Sequence, residues 1–105
     1  MPSQPTWLLE RGLRSLTPPG HGAIALSQQD FLVLNALMSR AGNTVSRRDI
    51  VAVLDEDFLE YDQRRLDTQM RRLRNKIEDA TGMPPPINTL RNAGYCFFAP
   101  VTIRD

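Results

Sequence analysis

Residues 62–82 constrain this chain more than any other stretch. On a helical wheel of about 100° per residue, Leu66, Met70, Leu73 and Ile77 fall within roughly 60° of one another. So narrow an apolar stripe must face a core, which makes the segment one amphipathic helix. Opposite the stripe lie Arg64, Thr68, Arg71, Arg72 and Asn75, with no acid among them. Asp67 and Arg74 share a flank at the edge of the buried face, where an intrahelical or capping contact accounts for both. Asp62 is the expected N-cap, with Tyr61 and Leu66 as its hydrophobic staple, although Arg65 stands where a capping box wants an acid. The helix should run to about Thr81, closed by Gly82 and stopped by Pro84, Pro85 and Pro86.

Two further helices announce themselves in the same way. Ser27 to Asp30 is a capping box flanked by Leu26 and Phe31, and apolar residues then recur at helical spacing until Gly42 and Asn43. Ser46 to Asp49 repeats the pattern with Val45 and Ile50, opening a helix to about Leu54. Before them, Trp7–Glu10 and Leu13–Thr17 read as two short strands around a turn, and Ala23–Leu26 as a third. Pro18 to Gly22 is a loop by composition. After the helices, Ile87–Leu90 and Tyr95–Phe98 flank a hairpin tip, Arg91-Asn92-Ala93-Gly94. The order is a small antiparallel sheet, three helices and a terminal hairpin, an α+β arrangement with no internal repeat.

The 105 residues suffice for one domain, expected over 6–105, with residues 1–5 as a linker remnant or frayed end. No apolar run reaches a membrane span and no signal peptide is visible at the N-terminus. With Cys96 its single cysteine, the chain fits a reducing compartment, and a cytoplasmic location is expected. One cysteine and one histidine, His21, do not make a standard zinc site, so no metal or cofactor is expected. The glycines form no phosphate-cradling run and no nucleophile stands beside a base, which argues against an enzyme. Trp7, Phe31, Phe58, Tyr95, Phe97 and Phe98 read as core or sheet packing, Met38 and Met70 as core filler. Cys96 reads as a buried or half-buried small apolar residue, and His21 as solvated.

The formal charge of +1 conceals a segregation. Residues 55–62 hold five acids and no base, whereas residues 64–76 hold five arginines and Lys76 against Asp67 alone. A charge run is ordinarily a solvated face; segregation this strict favours a surface for a polyanion. Few i to i+4 ion pairs can quench the outward arginines of the third helix. The hairpin tip adds Arg91. A helix fits a major groove about 12 Å wide, and a thin loop reaches the narrower minor groove beside it. Arginine suits both, being bidentate toward guanine and attracted to narrow minor grooves.

The segments Leu26–Leu34, Val45–Ile50, Leu66–Arg74 and Ile87–Tyr95, in this order, resemble the OmpR/PhoB-type winged-helix effector domain of bacterial response regulators. The likeness covers about residues 7 to 99. It implies a winged helix-turn-helix: an N-terminal antiparallel sheet, three helices and a C-terminal β-hairpin wing. It further implies sequence-specific binding of double-stranded DNA. By position in the family, Arg72 would contact bases directly, with Thr68 and Gln69 as neighbours in the groove. Arg64, Arg71, Arg74 and Thr89 would grip phosphates, and Arg91 would enter the minor groove. The acidic loop, with Asp55, Glu56, Asp57 and Glu60, occupies the place of a loop that touches RNA polymerase in activators; its acidity could equally keep DNA off that surface.

Three departures from the family pattern stand out. Asn92 replaces the first glycine of the usual wing, a tolerable change because asparagine accepts positive φ. Thr68 stands where an aliphatic side chain is common, so an operator preference cannot be copied. A receiver domain is not in the chain, which is therefore either a fragment or a solitary module. The family habit implies homodimeric binding to direct repeats. Two alternatives stay open: a winged-helix protein–protein module docking an acidic partner, and the cytoplasmic head of a membrane-anchored one-component regulator.

Overall fold

The computed structural model describes residues 5–105. Of the linker remnant expected at 1–5, only exposed Pro5 lies within that range. Seven strands and three helices follow: β1 (Trp7–Glu10), β2 (Ser15–Thr17), β3 (Ile24–Ala25), α1 (Gln28–Met38), β4 (Thr44–Ser46), α2 (Arg47–Val53), α3 (Gln63–Thr81), β5 (Ile87–Leu90), β6 (Gly94–Phe97) and β7 (Val101–Arg104).

The helix starts form as their sequences dictate. Ser27 and Ser46 each accept the backbone N–H three residues on, at 3.1 Å, and Asp62 accepts that of Arg64 at 3.0 Å. Each bond satisfies an amide that the first turn would otherwise leave open. At the far end of α3, Gly82 takes φ +75 and its N–H bonds Glu78 O at 2.7 Å, the left-handed stop expected of it. Leu66, Met70, Leu73 and Ile77 are all at most 1% exposed. They join Leu9, Leu16, Val33, Leu34, Leu37, Ile50 and Phe97 in one core, so the stripe does face inward.

Two strands escaped the sequence reading. β4 inserts before α2 and pairs antiparallel with β6, making a three-stranded sheet in the order β4-β6-β5. Val45, expected as a staple residue, is thus also the partner of Tyr95. β7 leaves the wing and lies parallel to β1, Leu9 opposite Ile103, so the other sheet runs β3-β2-β1-β7. The N-terminal sheet is antiparallel through β1, β2 and β3, as expected, but its fourth strand comes from the opposite end of the chain and runs parallel.

Smaller corrections follow from local geometry. Leu13 and Arg14 belong to the β1–β2 turn, not to a strand; Arg14 has φ +48 and Leu13 is 72% exposed. Phe98 ends outside β6 and is 53% exposed, so it packs less than its aromatic neighbours. Phe97 is fully buried, with the Trp7 ring edge-on at 5.7 Å. Gly94 has φ +153, and a Cβ there would lie 2.0 Å from Val45 O, so β4 and β6 approach only because this residue has no side chain.

Candidate nucleic-acid interface

The core stripe of α3 fixes which side chains turn outward. Arg64, Arg71, Arg72 and Asn75 are exposed and Thr68 is half-buried. No carboxylate among the described residues lies within 4.0 Å of the Arg71 or Arg72 guanidinium. Arg64 contacts Asp62 at 3.4 Å yet keeps 91% of its side chain exposed, so the pair quenches little of its field. An open groove of about 380 Å³ runs between the start of α1 and the first half of α3, lined by Gln29, Tyr61, Arg64, Arg65, Thr68 and Arg72 among others.

The flanks of α3 are tied to neighbouring elements. Toward α1, Gln69 Nε2 donates to Asp30 Oδ1 at 2.7 Å, and Lys76 Nζ lies 3.7 Å from the same carboxylate. The structure therefore places Gln69 beside α1 and apart from the outward row of Thr68 and Arg72. Toward the wing, Arg74 Nη2 donates to Thr89 Oγ1 at 2.6 Å and to Ile87 O at 3.2 Å. Two residues expected to grip phosphates thus form one unit, with Thr89 exposed.

Asp67 does not make the intrahelical contact anticipated for it. Its Oδ1 accepts from Tyr95 Oη at 2.8 Å and from Arg47 Nη2 at 3.0 Å. Arg47 also donates to the Gln63 side chain at 2.8 Å and to Gln63 O at 3.1 Å. The hydrogen bond from Tyr95 holds the Asp67 carboxyl below the usual range against partial burial, and Arg47 adds to the effect. Burial, then the hydrogen bond it donates to Asp67, pushes the Tyr95 hydroxyl up. Burial alone would lower Arg47, but its bonds to Asp67 and Tyr95 outweigh that and raise it. At the N-cap, the Arg64 backbone N–H and then its side chain hold Asp62 low. Sequence reasoning missed Arg47 and the Tyr95 hydroxyl, because their partners lie on other elements and no spacing pattern encodes them.

The hairpin tip between β5 and β6 leaves Arg91, Asn92 and Ala93 exposed. Asn92 takes φ +64, the left-handed geometry its side chain tolerates, and the Ala93 N–H closes the turn on Leu90 O at 3.0 Å. The acidic segment directly precedes the N-cap of α3. Asp55, Glu56, Asp57 and Glu60 are exposed; Glu56 lies 3.8 Å from Arg65, and Asp57 folds back onto the Leu59 N–H. Tyr61 anchors the segment, 8% exposed, with the Arg65 guanidinium 4.7 Å from its ring centre.

A three-helix unit with a cationic outward helix, flanked by a basic hairpin, defines a winged-helix effector domain of transcriptional regulators. Residues 21–97 match the family described as "Transcriptional regulatory protein, C terminal", and the chain belongs to that family. It is 32% identical over 94 residues to the transcriptional regulatory protein AruR of Pseudomonas aeruginosa, covering 89% of this chain and 38% of that protein. It is 33% identical over 100 residues to the regulatory protein VirG of Agrobacterium tumefaciens, covering 92% of this chain and 36% of that protein. The chain thus spans less than two-fifths of these relatives' length. Among solved structures it is similar to the DNA-binding domain of Klebsiella pneumoniae RstA, solved in complex with the RstA box. That likeness has a TM-score of 0.71 at 31% identity and covers 86% of this chain and 88% of that one. Among the described residues, no helix is long and apolar enough to cross a membrane.

Proposed function

We propose that this chain is the sequence-specific, double-stranded-DNA-binding effector domain of a bacterial transcriptional regulator of the two-component type. α3 lies in a major groove and the wing reaches the adjacent minor groove. The reading is carried by one observation: Arg71 and Arg72 stand exposed on α3, and no carboxylate among the described residues pairs with either. Arg72 and Thr68 face base edges, while Arg64 and Arg71 contact phosphates, together with the joined Arg74 and Thr89. Arg91 enters the minor groove. Gln69, bonded to Asp30, borders the base-reading row from its flank.

Phosphate contacts would then supply most of the affinity. With roughly four to six phosphates neutralised, log affinity should fall against log salt with a slope of about −4 to −5. Selection of bound duplexes from a random pool tests the reading. A shared motif among the survivors, bound more tightly than random duplex, is the expected result. Negligible binding to any duplex at low salt would favour an acidic protein partner instead.

The surrounding protein is part of the same proposal. A receiver domain on the same polypeptide fits a domain that spans 38% and 36% of its relatives' lengths; a cytoplasmic location and tandem binding of two copies to direct repeats complete the proposal. The exposed acids Asp55, Glu56, Asp57 and Glu60, of which Glu56 lies 3.8 Å from Arg65, suit contact with RNA polymerase. Family membership and the outward face point to binding, not to catalysis.

A further inference from the structure

Tyr95 belongs to a wing strand, yet its hydroxyl bonds the helix. The residue is 2% exposed, and its ring has guanidinium carbons of Arg47 and Arg74 at 5.8 and 5.9 Å from the centroid. A buried phenol needs a hydrogen-bond partner, and many groups could supply one. Here the partner is Asp67 Oδ1, which also accepts from Arg47, so α2, α3 and β6 meet at a single carboxylate oxygen. The bonds from Arg74 to Thr89 and Ile87 O cross the same gap to β5.

Asp67 and Tyr95 lie off the outward row of α3. Their bond joins the helix to the hairpin strand. The tip, residues 91–93, extends beyond the last β4–β6 pair, Ser46 with Gly94. A binder that addresses two grooves gains affinity when both contacting elements are held in place before the encounter.

We propose that Tyr95 and Asp67 form a latch that holds the wing at the angle from which Arg91 and Arg72 engage one duplex together. The latch rests on the DNA-binding reading above, and Tyr95 acts through Arg91 as a positioning residue. A double-mutant cycle tests it, with the duplex selected by the unmodified chain as probe. Arg91→Ala should weaken binding roughly tenfold in the native background but less than about twofold beside Tyr95→Phe, because a loosened wing no longer delivers Arg91. Asp67→Ala, which removes the same bond from the more exposed side, should reproduce the loss of coupling.

A purely structural Tyr95 gives another pattern. Tyr95→Phe would then lower the melting temperature and weaken binding overall, while Arg91→Ala kept its tenfold effect in both backgrounds. That result overturns the latch and leaves the DNA-binding reading standing. If Arg91→Ala is silent even in the native background, the wing contact itself is refuted and the latch with it.

Discussion

Asp30 Oδ1, in the first turn of α1, accepts the side-chain amide of Gln69 from the second turn of α3 at 2.7 Å. The carboxylate is 13% exposed, and Lys76 Nζ lies 3.7 Å away on the same flank. One acid therefore favours the N-terminus of its own helix and clamps the neighbouring one. Asp30→Ala should cost about 1–2 kcal/mol, since it removes the first-turn acid and leaves a half-buried amide without its acceptor. Urea unfolding measures this. A midpoint equal to that of the parent would mean that water replaces the carboxylate without loss.

The outward arginines separate by what they are positioned to touch. Arg72→Ala should cost about 1–3 kcal/mol on the selected duplex and relax base preference at one position, whereas Arg64→Ala should weaken all duplexes alike. Titrations against selected and scrambled duplexes at fixed salt distinguish them. Equal losses on both duplexes for Arg72→Ala would refute base reading by this side chain.

Gly94 admits no substitution. A Cβ would stand 2.0 Å from Val45 O, on a backbone at φ +153. Gly94→Ala should therefore destabilise by about 3 kcal/mol or more, because strand separation and backbone strain add. Thermal unfolding is the measurement; a variant that melts with the parent would show that β4 can move away from β6 at little cost.

Two groups at the helix–wing junction give stability opposite dependences on pH. The Asp67 carboxyl is held below its ordinary value, so its contribution is present above the unfolded-state value near pH 4 and fades as acid protonates it. The Tyr95 hydroxyl is held above its ordinary value, so its contribution is complete below about pH 10 and fades as the phenol ionises beyond that. Urea midpoints should form a plateau between about pH 5 and 9. The alkaline decline should be shallower in Tyr95→Phe; an unchanged decline would assign it to other groups.

The features legible in the sequence were those written locally. Ser27, Ser46 and Asp62 act on amides two or three residues away, so short patterns reveal them. The α3 stripe is legible for the same reason, because four residues at helical spacing set one face. β7 was not legible: its partner β1 lies more than ninety residues away in the chain, and four residues of Val101-Thr-Ile-Arg carry no signal of a parallel neighbour. β4 was hidden because Val45 and Ser46 already fitted a helix entry. The spacing of Asp67 points to its own helix, and nothing in it points to Arg47 or Tyr95. The outward row can be named from the wheel, which leaves Gln69 on the flank; its bond to Asp30 depends on the position of α1.

The parallel alignment of β7 with β1 has a practical consequence for anyone shortening the molecule. β1 lies between β2 and β7, and removing residues 101–105 would move the sheet's open border from β7 onto β1 and strip Val101 and Ile103 from the core. Such a border, beside an uncovered core, recruits other chains. A trimmed version that kept every arginine of the binding face would still tend to clump.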